Sequence, residues 1–199
     1  MTPILISAAL VAVAYFIGSI PTGVLVAHSK GVDLQTVGSG NIGATNVART
    51  LGKKTGALVL VLDAIKGAVP AGAALWLASR GTVDPFVLTA AGFAAIGGHC
   101  FPVWLGFRGG KGVATSLGVF IVLAPIVTAV VLGVWLALYL AFHIVSVGSM
   151  VAATSYVPLL IVFDRGDELV TLAIATALLI LFKHRGNMLR LVRRQESRV

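Results

Sequence analysis

Long uncharged apolar stretches alternate with short polar loops along the whole chain. Most stretches are near the roughly 20 residues that a helix needs to cross a bilayer. Because lipid offers no hydrogen-bonding partners, each spanning segment must satisfy its backbone groups internally, as an α-helix does. Without strand alternation, repeats or linkers, the pattern predicts an all-α polytopic membrane helix bundle, a single domain over residues 1–199. The apolar stretches are 3–27, 57–79, 85–107, 112–142, 148–163 and 168–183.

One apolar stretch, residues 112–142, is too long for a single span of about 20 residues. Pro125 lies near its middle, where the missing N–H and the ring can break a helix. A break there predicts about seven transmembrane helices, with the N-terminus outside and the C-terminus cytoplasmic. This arrangement places every Lys and Arg except Lys66, Arg80 and Arg165 on the cytoplasmic side, as the positive-inside rule requires. The half before Pro125 is short, and whether it crosses fully is left open.

The composition supports a membrane protein. Hydrophobic residues make up 58% of the chain and charged residues only 11%, whereas soluble domains carry about 25% charged residues. So few charges cannot coat a soluble globule of this size. The net charge is +8, but the basic residues lie between apolar segments. This distribution favours anionic lipid over nucleic acid as their partner.

Two of the predicted cytoplasmic loops have the residue types of an anion site. The first, residues 38–49, reads GSGNIGATNVAR and combines glycines, hydroxyl and amide side chains with Arg49. The second, residues 108–115, reads RGGKGVAT and places two cations among glycines before a predicted helix start at Val113. The second could be an ordinary positive-inside loop with turn glycines. Two such loops on one face favour phosphate binding.

Two nucleotide-binding motifs are matched only superficially. Residues 38–43 fit G-x-G-x-x-G, but that motif requires a strand followed by a helix, and here a polar loop joins membrane helices. The second loop differs from a P-loop at Leu105 and Gly112, where a glycine and a Ser or Thr are required. Neither match predicts a nucleotide site.

Several polar residues are predicted to lie near the cytoplasmic ends of the helices. Charges at membrane depth are costly and commonly mark a functional site. Asp63 and Lys66 could instead only neutralise each other, and His99 could be a packing histidine. The convergence of the whole set on one face favours a site. The set comprises Asp63, Lys66, His99, Ser146, His184 and Asn187.

Three segments closely resemble the signatures of the bacterial acyl-phosphate-dependent glycerol-3-phosphate acyltransferases. They are GSGNIGATNVAR at 38–49, GGKGVAT at 109–115 and HRGNMLRL at 184–191, with Met188 where isoleucine is expected. The resemblance implies transfer of a fatty acyl group from acyl phosphate to the 1-hydroxyl of glycerol 3-phosphate. The products would be lysophosphatidate and phosphate, in the first step of phospholipid synthesis.

The same resemblance implies a multi-pass protein of the bacterial cytoplasmic (inner) membrane, with its active site at the cytoplasmic face. Acyl phosphate, glycerol 3-phosphate and membrane lipid would be its partners, and a soluble enzyme that makes acyl phosphate is a further partner by analogy. Coenzyme A and carrier-protein thioesters would not be donors. No cofactor is expected, and no metal-ligand cluster or nucleic-acid partner is indicated.

The chain lacks the usual acyl-transfer motifs. It has no G-x-S-x-G elbow, and it has no His-x4-Asp pair at His99, because Trp104 stands where the Asp is required. An acyl phosphate is already activated and needs alignment and charge stabilisation. The base is predicted to be either His184 or the acceptor's own phosphate. Predicted catalytic residues are Lys111, Ser146, His184 and Asn187. Predicted substrate-binding residues are Ser39, Gly40, Asn41, Thr45, Asn46, Arg49, Asp63, Lys66, His99, Gly109, Gly110 and Thr115.

The main alternative is a carrier for small organic phosphates, because polar and broken helices at membrane depth also serve transporters. Two features disfavour it. The charged groups cluster at one face and leave no polar path towards residues 164–168, and the two halves of the chain show no matching interruptions. A purely structural scaffold for lipid-synthesis partners is the third class considered.

Overall fold

The computed structural model describes residues 2–198, and over that range the regular structure is helical throughout. This confirms the all-α prediction. A short 3-10 turn covers Val103–Leu105. The α-helices are α1 (Pro3–Ser19), α2 (Thr22–His28), α3 (Ala44–Leu51), α4 (Lys53–Ser79), α5 (Phe86–Cys100), α6 (Val113–Leu123), α7 (Pro125–Phe142), α8 (Val145–Val162), α9 (Asp167–Lys183) and α10 (Arg185–Val192).

Within residues 2–198, five helical segments are long and apolar enough to cross a bilayer. The pair α9 and α10, bent by 57°, would make a sixth. Helix α6 has 11 residues and is therefore about 16 Å long, shorter than a hydrocarbon core of about 30 Å. A multi-pass helical membrane protein is thus confirmed, whereas the total of seven spans and the sides of the two termini stay predictions.

Prolines separate two pairs of consecutive helices. Pro125 begins α7 directly after α6 has ended at Leu123, so the predicted break in the long apolar stretch is confirmed. The fixed φ of proline suits the first turn of a helix, whereas its missing N–H cannot continue the helix before it. Pro21 similarly stands between α1 and α2. At this second break the Ile20 carbonyl accepts a hydrogen bond from Lys66, and the Thr22 hydroxyl donates one to Asp63.

Helices α4 and α6 pack backbone against backbone. Gly67 of α4 lies against the carbonyl oxygen of Thr115, and Gly118 of α6 lies against the carbonyl oxygen of Ala64. A Cβ atom at either glycine would overlap that oxygen. In lipid, where little hydrophobic force drives helices together, small residues allow this close approach. The contact fixes the first turn of α6 beside the turn of α4 that carries Asp63.

The core of the bundle contrasts with its surface. Phe120 of α6 is fully buried and stacks on Tyr156 of α8, with ring centroids 4.2 Å apart. The Tyr156 hydroxyl donates a hydrogen bond to Thr128 of α7. Large apolar side chains such as Leu140 and Leu178 are exposed. An apolar surface around a packed core is what a lipid environment requires.

Candidate active site

A cavity of about 580 Å³ lies between α3, α4, α6, α7 and α8 and is closed at one side by α10 and the tail that follows it. It brings together residues from all three of the polar segments that the sequence singled out. Predicted site residues that line it are Ser39, Asn41, Thr45, Arg49, Asp63, His99, Lys111, Ser146 and Asn187. Predicted site residues outside its lining are Gly40, Asn46, Lys66, Gly109, Gly110, Thr115 and His184.

The cavity has two chemically different parts. Its mouth carries the two cations Arg49 and Lys111 together with hydroxyl and amide side chains. Most of the remaining wall is apolar and comes largely from α4, α7 and α8, with Val131 and Ala153 buried in it and Leu60 exposed. An amphiphile with an anionic head and an aliphatic chain matches this division. The predicted phosphate site is therefore joined to an apolar part of the same cavity, which we call the apolar chamber.

The first loop is held together by two asparagines. Asn46 is buried, donates from Nδ2 to the carbonyl oxygen of Val37 at 3.1 Å, and accepts the backbone N–H of Ser39 at 2.9 Å. Asn41 accepts the N–H of Gly43 at 2.9 Å. These side chains bind the loop backbone, which leaves Ser39, Thr45 and Arg49 at the cavity. Direct contact of Asn46 with substrate stays a prediction.

The second loop lies on the end of α5. The N–H of Gly109 donates to the carbonyl of Cys100 at 3.2 Å, and the N–H of Gly110 donates to the carbonyl of His99 at 3.0 Å. Gly110 packs so closely on the His99 ring that a Cβ atom would overlap it. The two amides are thus paired with backbone in this structure, and their contact with phosphate stays a prediction. What the loop presents to the cavity is Lys111.

The third segment forms the corner between α9 and α10. His184 is 2% exposed, and its Nδ1 lies 2.8 Å from the carbonyl oxygen of Ile180. Since a carbonyl only accepts, Nδ1 carries the hydrogen and Nε2 is left as the acceptor of the neutral ring. Asn187, one turn further on, reaches the cavity and accepts a hydrogen bond from Lys111 Nζ at 2.6 Å. The corner therefore ties the third polar segment to the second.

A buried cluster around Asp63 lies beneath the mouth. Lys66 Nζ is 2.8 Å from Asp63 Oδ1 and donates to the carbonyl of Ile20, also at 2.8 Å, at the break between α1 and α2. Thr22 donates its hydroxyl hydrogen to the same carboxylate at 2.5 Å. His99 Nδ1 lies 3.5 Å from Asp63 Oδ1 without hydrogen-bond geometry. Asp63 and Lys66 thus pair with each other, which is one of the two alternatives considered for them, and the pair ties α4 to the α1–α2 break. Their contact with substrate stays a prediction.

The electrostatics of the mouth favour anions. The first turns of α3 and α6 both line the cavity, and N–H groups in a first helical turn have no partner within the helix. The start at Val113 confirms the helix expected after the second loop, whereas α3 begins at Ala44, inside the first loop of residues 38–49 rather than after it. Burial lowers the pKa of Lys111 to about 8, against the opposing effect of the Glu196 carboxylate. At neutral pH Lys111 is still predominantly protonated and adds its charge to that of Arg49.

Two charged lining residues were not among the predicted site residues. Arg190 and Glu196 both reach the cavity, and Arg190 Nε donates to Glu196 Oε2 at 2.7 Å. Arg190 belongs to the third signature but resembled the lipid-facing arginines around it. Glu196 is the only acidic residue after Glu168, and this isolation within a basic tail was the available signal.

Together, the fold and the cavity define a class: a polytopic membrane protein with a cationic site that opens into an apolar chamber. The chain belongs to the glycerol-3-phosphate acyltransferase family, whose model matches residues 8–194. The glycerol-3-phosphate acyltransferase of Myxococcus xanthus is 48% identical over 194 residues, covering 96% of this chain and 99% of the relative. That of Aquifex aeolicus is 46% identical over 189 residues, covering 95% and 97%. The family resemblance inferred from the three signatures is thereby confirmed.

Solved structures agree with this assignment. The integral membrane glycerol 3-phosphate acyltransferase PlsY, in its glycerol 3-phosphate form, matches this chain with a TM-score of 0.91 at 44% identity, covering 97% of this chain and 95% of that chain. The lysophosphatidic acid form of PlsY matches with a TM-score of 0.89, also at 44% identity, covering 96% and 94%. The helical arrangement described above is therefore that of a known membrane acyltransferase fold.

Proposed function

We propose that this protein transfers a fatty acyl group from acyl phosphate to the 1-hydroxyl of glycerol 3-phosphate, with release of lysophosphatidate and phosphate. The observation that carries the proposal is the cavity itself, in which a mouth with Arg49 and Lys111 adjoins an apolar chamber. Both substrates carry a phosphate group, and one carries a long aliphatic chain. A carrier of small polar phosphates has no use for such a chamber.

Arg49 and Lys111 bind the two phosphate groups. The planar guanidinium of Arg49 can meet two phosphate oxygens at once, whereas the Lys111 ammonium acts as a compact charge. The first turns of α3 and α6 add unpaired N–H groups beside these cations. The side chains of Ser39 and Thr45 line the same part of the cavity and add hydrogen bonds. Two phosphates are thus held near each other, each beside a cation and a helix start.

Ser146 and Asn187 orient the acceptor. Both line the cavity, and Lys111 holds Asn187 through the bond to its amide oxygen, which turns the Asn187 amide hydrogens towards the cavity mouth. Holding the hydroxyl near the acyl carbon replaces an encounter in solution by a reaction within one complex. The Asp63 and Lys66 pair supports the mouth from below rather than contacting substrate.

The reaction is a nucleophilic acyl substitution. The 1-hydroxyl oxygen attacks the acyl carbon, the ester bond forms, and the bond from that carbon to the phosphate oxygen breaks, so that its electron pair leaves with inorganic phosphate. A mixed anhydride needs no covalent enzyme intermediate. The hydroxyl proton passes to the acceptor's own phosphate, whose second pKa is near about 6. This alternative is favoured over His184 because His184 does not line the cavity.

The same chemistry suggests where the protein works. Acyl phosphate has its chain in the membrane, and glycerol 3-phosphate is a small polar metabolite that must arrive from water. We therefore place the mouth at the cytoplasmic face of a bacterial inner membrane, in agreement with the many basic residues of the α10 tail. A soluble enzyme that makes acyl phosphate is the partner that this arrangement calls for.

The proposal is tested with purified protein in lipid, palmitoyl phosphate and glycerol 3-phosphate. Lysophosphatidate must form, and Arg49→Ala must lower kcat/KM about a hundredfold or more, as loss of a preorganised charged donor does. Arg80→Ala is the matched control, because Arg80 stacks on Trp76 at the far end of α4 and does not line the cavity. Uptake of labelled glycerol 3-phosphate into proteoliposomes without acyl donor, and no lysophosphatidate, would instead identify a carrier.

A further inference from the structure

The chain after α10 folds back over the mouth of the cavity. Arg194 has a left-handed φ of 55°, and the N–H of Gln195 donates to the carbonyl of Arg190 at 2.7 Å. This turn reverses the chain, so that Glu196 points towards the bundle. Its neighbours Gln195 and Ser197 are exposed, yet the Glu196 side chain is only 7% exposed. One side chain of an otherwise exposed basic tail is therefore inserted into the site.

Three donors bind the Glu196 carboxylate. Oε1 accepts from Ser146 Oγ at 2.7 Å and from Asn187 Nδ2 at 2.5 Å, and Oε2 accepts from Arg190 Nε at 2.7 Å. Burial acts to raise the pKa of Glu196, but the hydrogen bonds from Asn187, Ser146 and Arg190 outweigh it and hold the pKa below its ordinary value. The group is therefore an anion at neutral pH, bound as a phosphate oxygen pair would be.

Two of these donors, Ser146 and Asn187, are the groups that the proposed function assigns to the acceptor. A carboxylate and a phosphate use the same donors, and two anions cannot share them without strong repulsion. We infer that Glu196 is a built-in competitor of glycerol 3-phosphate: its carboxylate occupies the acceptor site of the empty enzyme and must be displaced before the acceptor binds. We call residues 194–196 the latch, and the backbone turn at Arg194 is the hinge about which it moves.

The latch has a defined effect on the enzyme. Glycerol 3-phosphate must displace the Glu196 carboxylate from its three donors, and this makes the binding free energy of the acceptor less favourable. Once the acceptor is bound, the carboxylate is no longer in the site. The apparent affinity for glycerol 3-phosphate is therefore lowered, and the rate of the chemical step is not. Acyl phosphate, whose chain is held by the apolar chamber, is affected less.

The latch is tested with Glu196→Gln, which keeps the shape and removes the charge, and with a chain that ends at Gln195. At pH 7, both should lower the KM for glycerol 3-phosphate about tenfold and leave kcat within twofold. Glu168→Gln is the matched control, since Glu168 is exposed in the first turn of α9. An unchanged KM, a raised KM or a large fall in kcat would overturn the latch and make Glu196 a supporting residue.

Because this inference rests on the proposed function, a second readout separates the two. The dissociation constant of glycerol 3-phosphate is measured by calorimetry, without acyl donor, for the parent protein and for Glu196→Gln. Tighter binding by the variant supports the latch even where no lysophosphatidate is formed. Equal binding, weaker binding by the variant, or binding by neither protein contradicts it.

Discussion

The ammonium of Lys111 lies 2.6 Å from the amide oxygen of Asn187, across 76 positions of the chain. Lys111 comes from the loop before α6, and Asn187 comes from α10, beyond the corner at His184. The bond settles the orientation of the Asn187 amide, because an ammonium can only donate and must therefore meet the oxygen. The Asn187 amide hydrogens are consequently presented to the cavity mouth, where Glu196 now accepts one of them.

This bond predicts strong coupling between the two residues. Lys111→Ala should lower kcat/KM about a hundredfold or more, since it removes a cation from the phosphate site. Asn187→Ala should cost about tenfold or more, and the double variant should cost much less than the product of the two effects, because residues that act as one unit are not additive. A double-mutant cycle of kcat/KM measures the coupling. Fully multiplicative effects would show that the bond has no role in catalysis.

The pH dependence follows from the lowered pKa of Lys111. Below about pH 8 the ammonium is charged and binds phosphate, and as pH rises through about 8 it loses its proton. The charges that face it from other segments are Glu196, which raises this pKa, and Arg190, Arg49 and Lys183, which lower it. We expect kcat/KM to fall above about pH 8. Bound phosphate holds the proton on Lys111, so kcat should fall only at higher pH.

Lys111→Arg is the control for this assignment. A guanidinium keeps its charge throughout the range, so the alkaline fall in kcat/KM should disappear even where the absolute activity is reduced. An alkaline fall that remains at the same pH in Lys111→Arg would mean that another group titrates.

Gly110 predicts a steric requirement in the second loop. In Gly110→Ala the new methyl group would overlap the His99 ring, so either the loop or the ring must move. Overpacking of this kind costs about 1–3 kcal/mol, and displacement of the adjacent Lys111 should lower kcat/KM at least tenfold. Gly97→Ala on the same helix as His99 is the matched control, because nothing lies near its new methyl group. Thermal unfolding and activity are compared for both, and equal behaviour would refute the requirement.

The apolar chamber predicts a change in chain-length preference. Ala153 lines the chamber, and Ala153→Leu would fill part of its volume. The ratio of kcat/KM for palmitoyl phosphate to that for decanoyl phosphate should fall about tenfold or more, since each displaced methylene costs binding free energy. The KM for glycerol 3-phosphate should not change. Ala141→Leu, on the exposed face of α7, is the control, and an unchanged ratio would place the acyl chain elsewhere.

Much of this arrangement was predictable because it depends on local sequence. The break at Pro125 follows from the missing N–H of proline, and the helix start at Val113 follows a glycine-rich loop that cannot itself continue a helix. The helix Ala44–Leu51, inside the first predicted loop, was not predicted. The composition of those loops also predicts a preference for anions, which stays a prediction. The three signatures identified which segments share a site, since the resemblance carried information about the whole family.

Other features depend on contacts between distant residues and could not be predicted. Whether Asn46 would face a ligand or bind the carbonyl of Val37 is decided by how its own loop folds. The N–H groups of Gly109 and Gly110 are taken by α5, a contact with no local signal. Glu196 lies 50 positions from Ser146, and only the turn at Arg194 brings it to the cavity. These contacts depend on how the backbone runs between distant residues, and the periodicity of hydrophobic residues does not specify that.

The central claim is that one cavity holds both phosphates and passes the acyl group directly from one substrate to the other. It is tested most directly by following phosphate and lysophosphatidate together, with purified protein in lipid and palmitoyl phosphate as donor. We predict that the two products form in equal amounts and that phosphate release above the uncatalysed rate requires glycerol 3-phosphate. Enzyme-dependent release of phosphate without the acceptor, or no lysophosphatidate in its presence, would contradict the account.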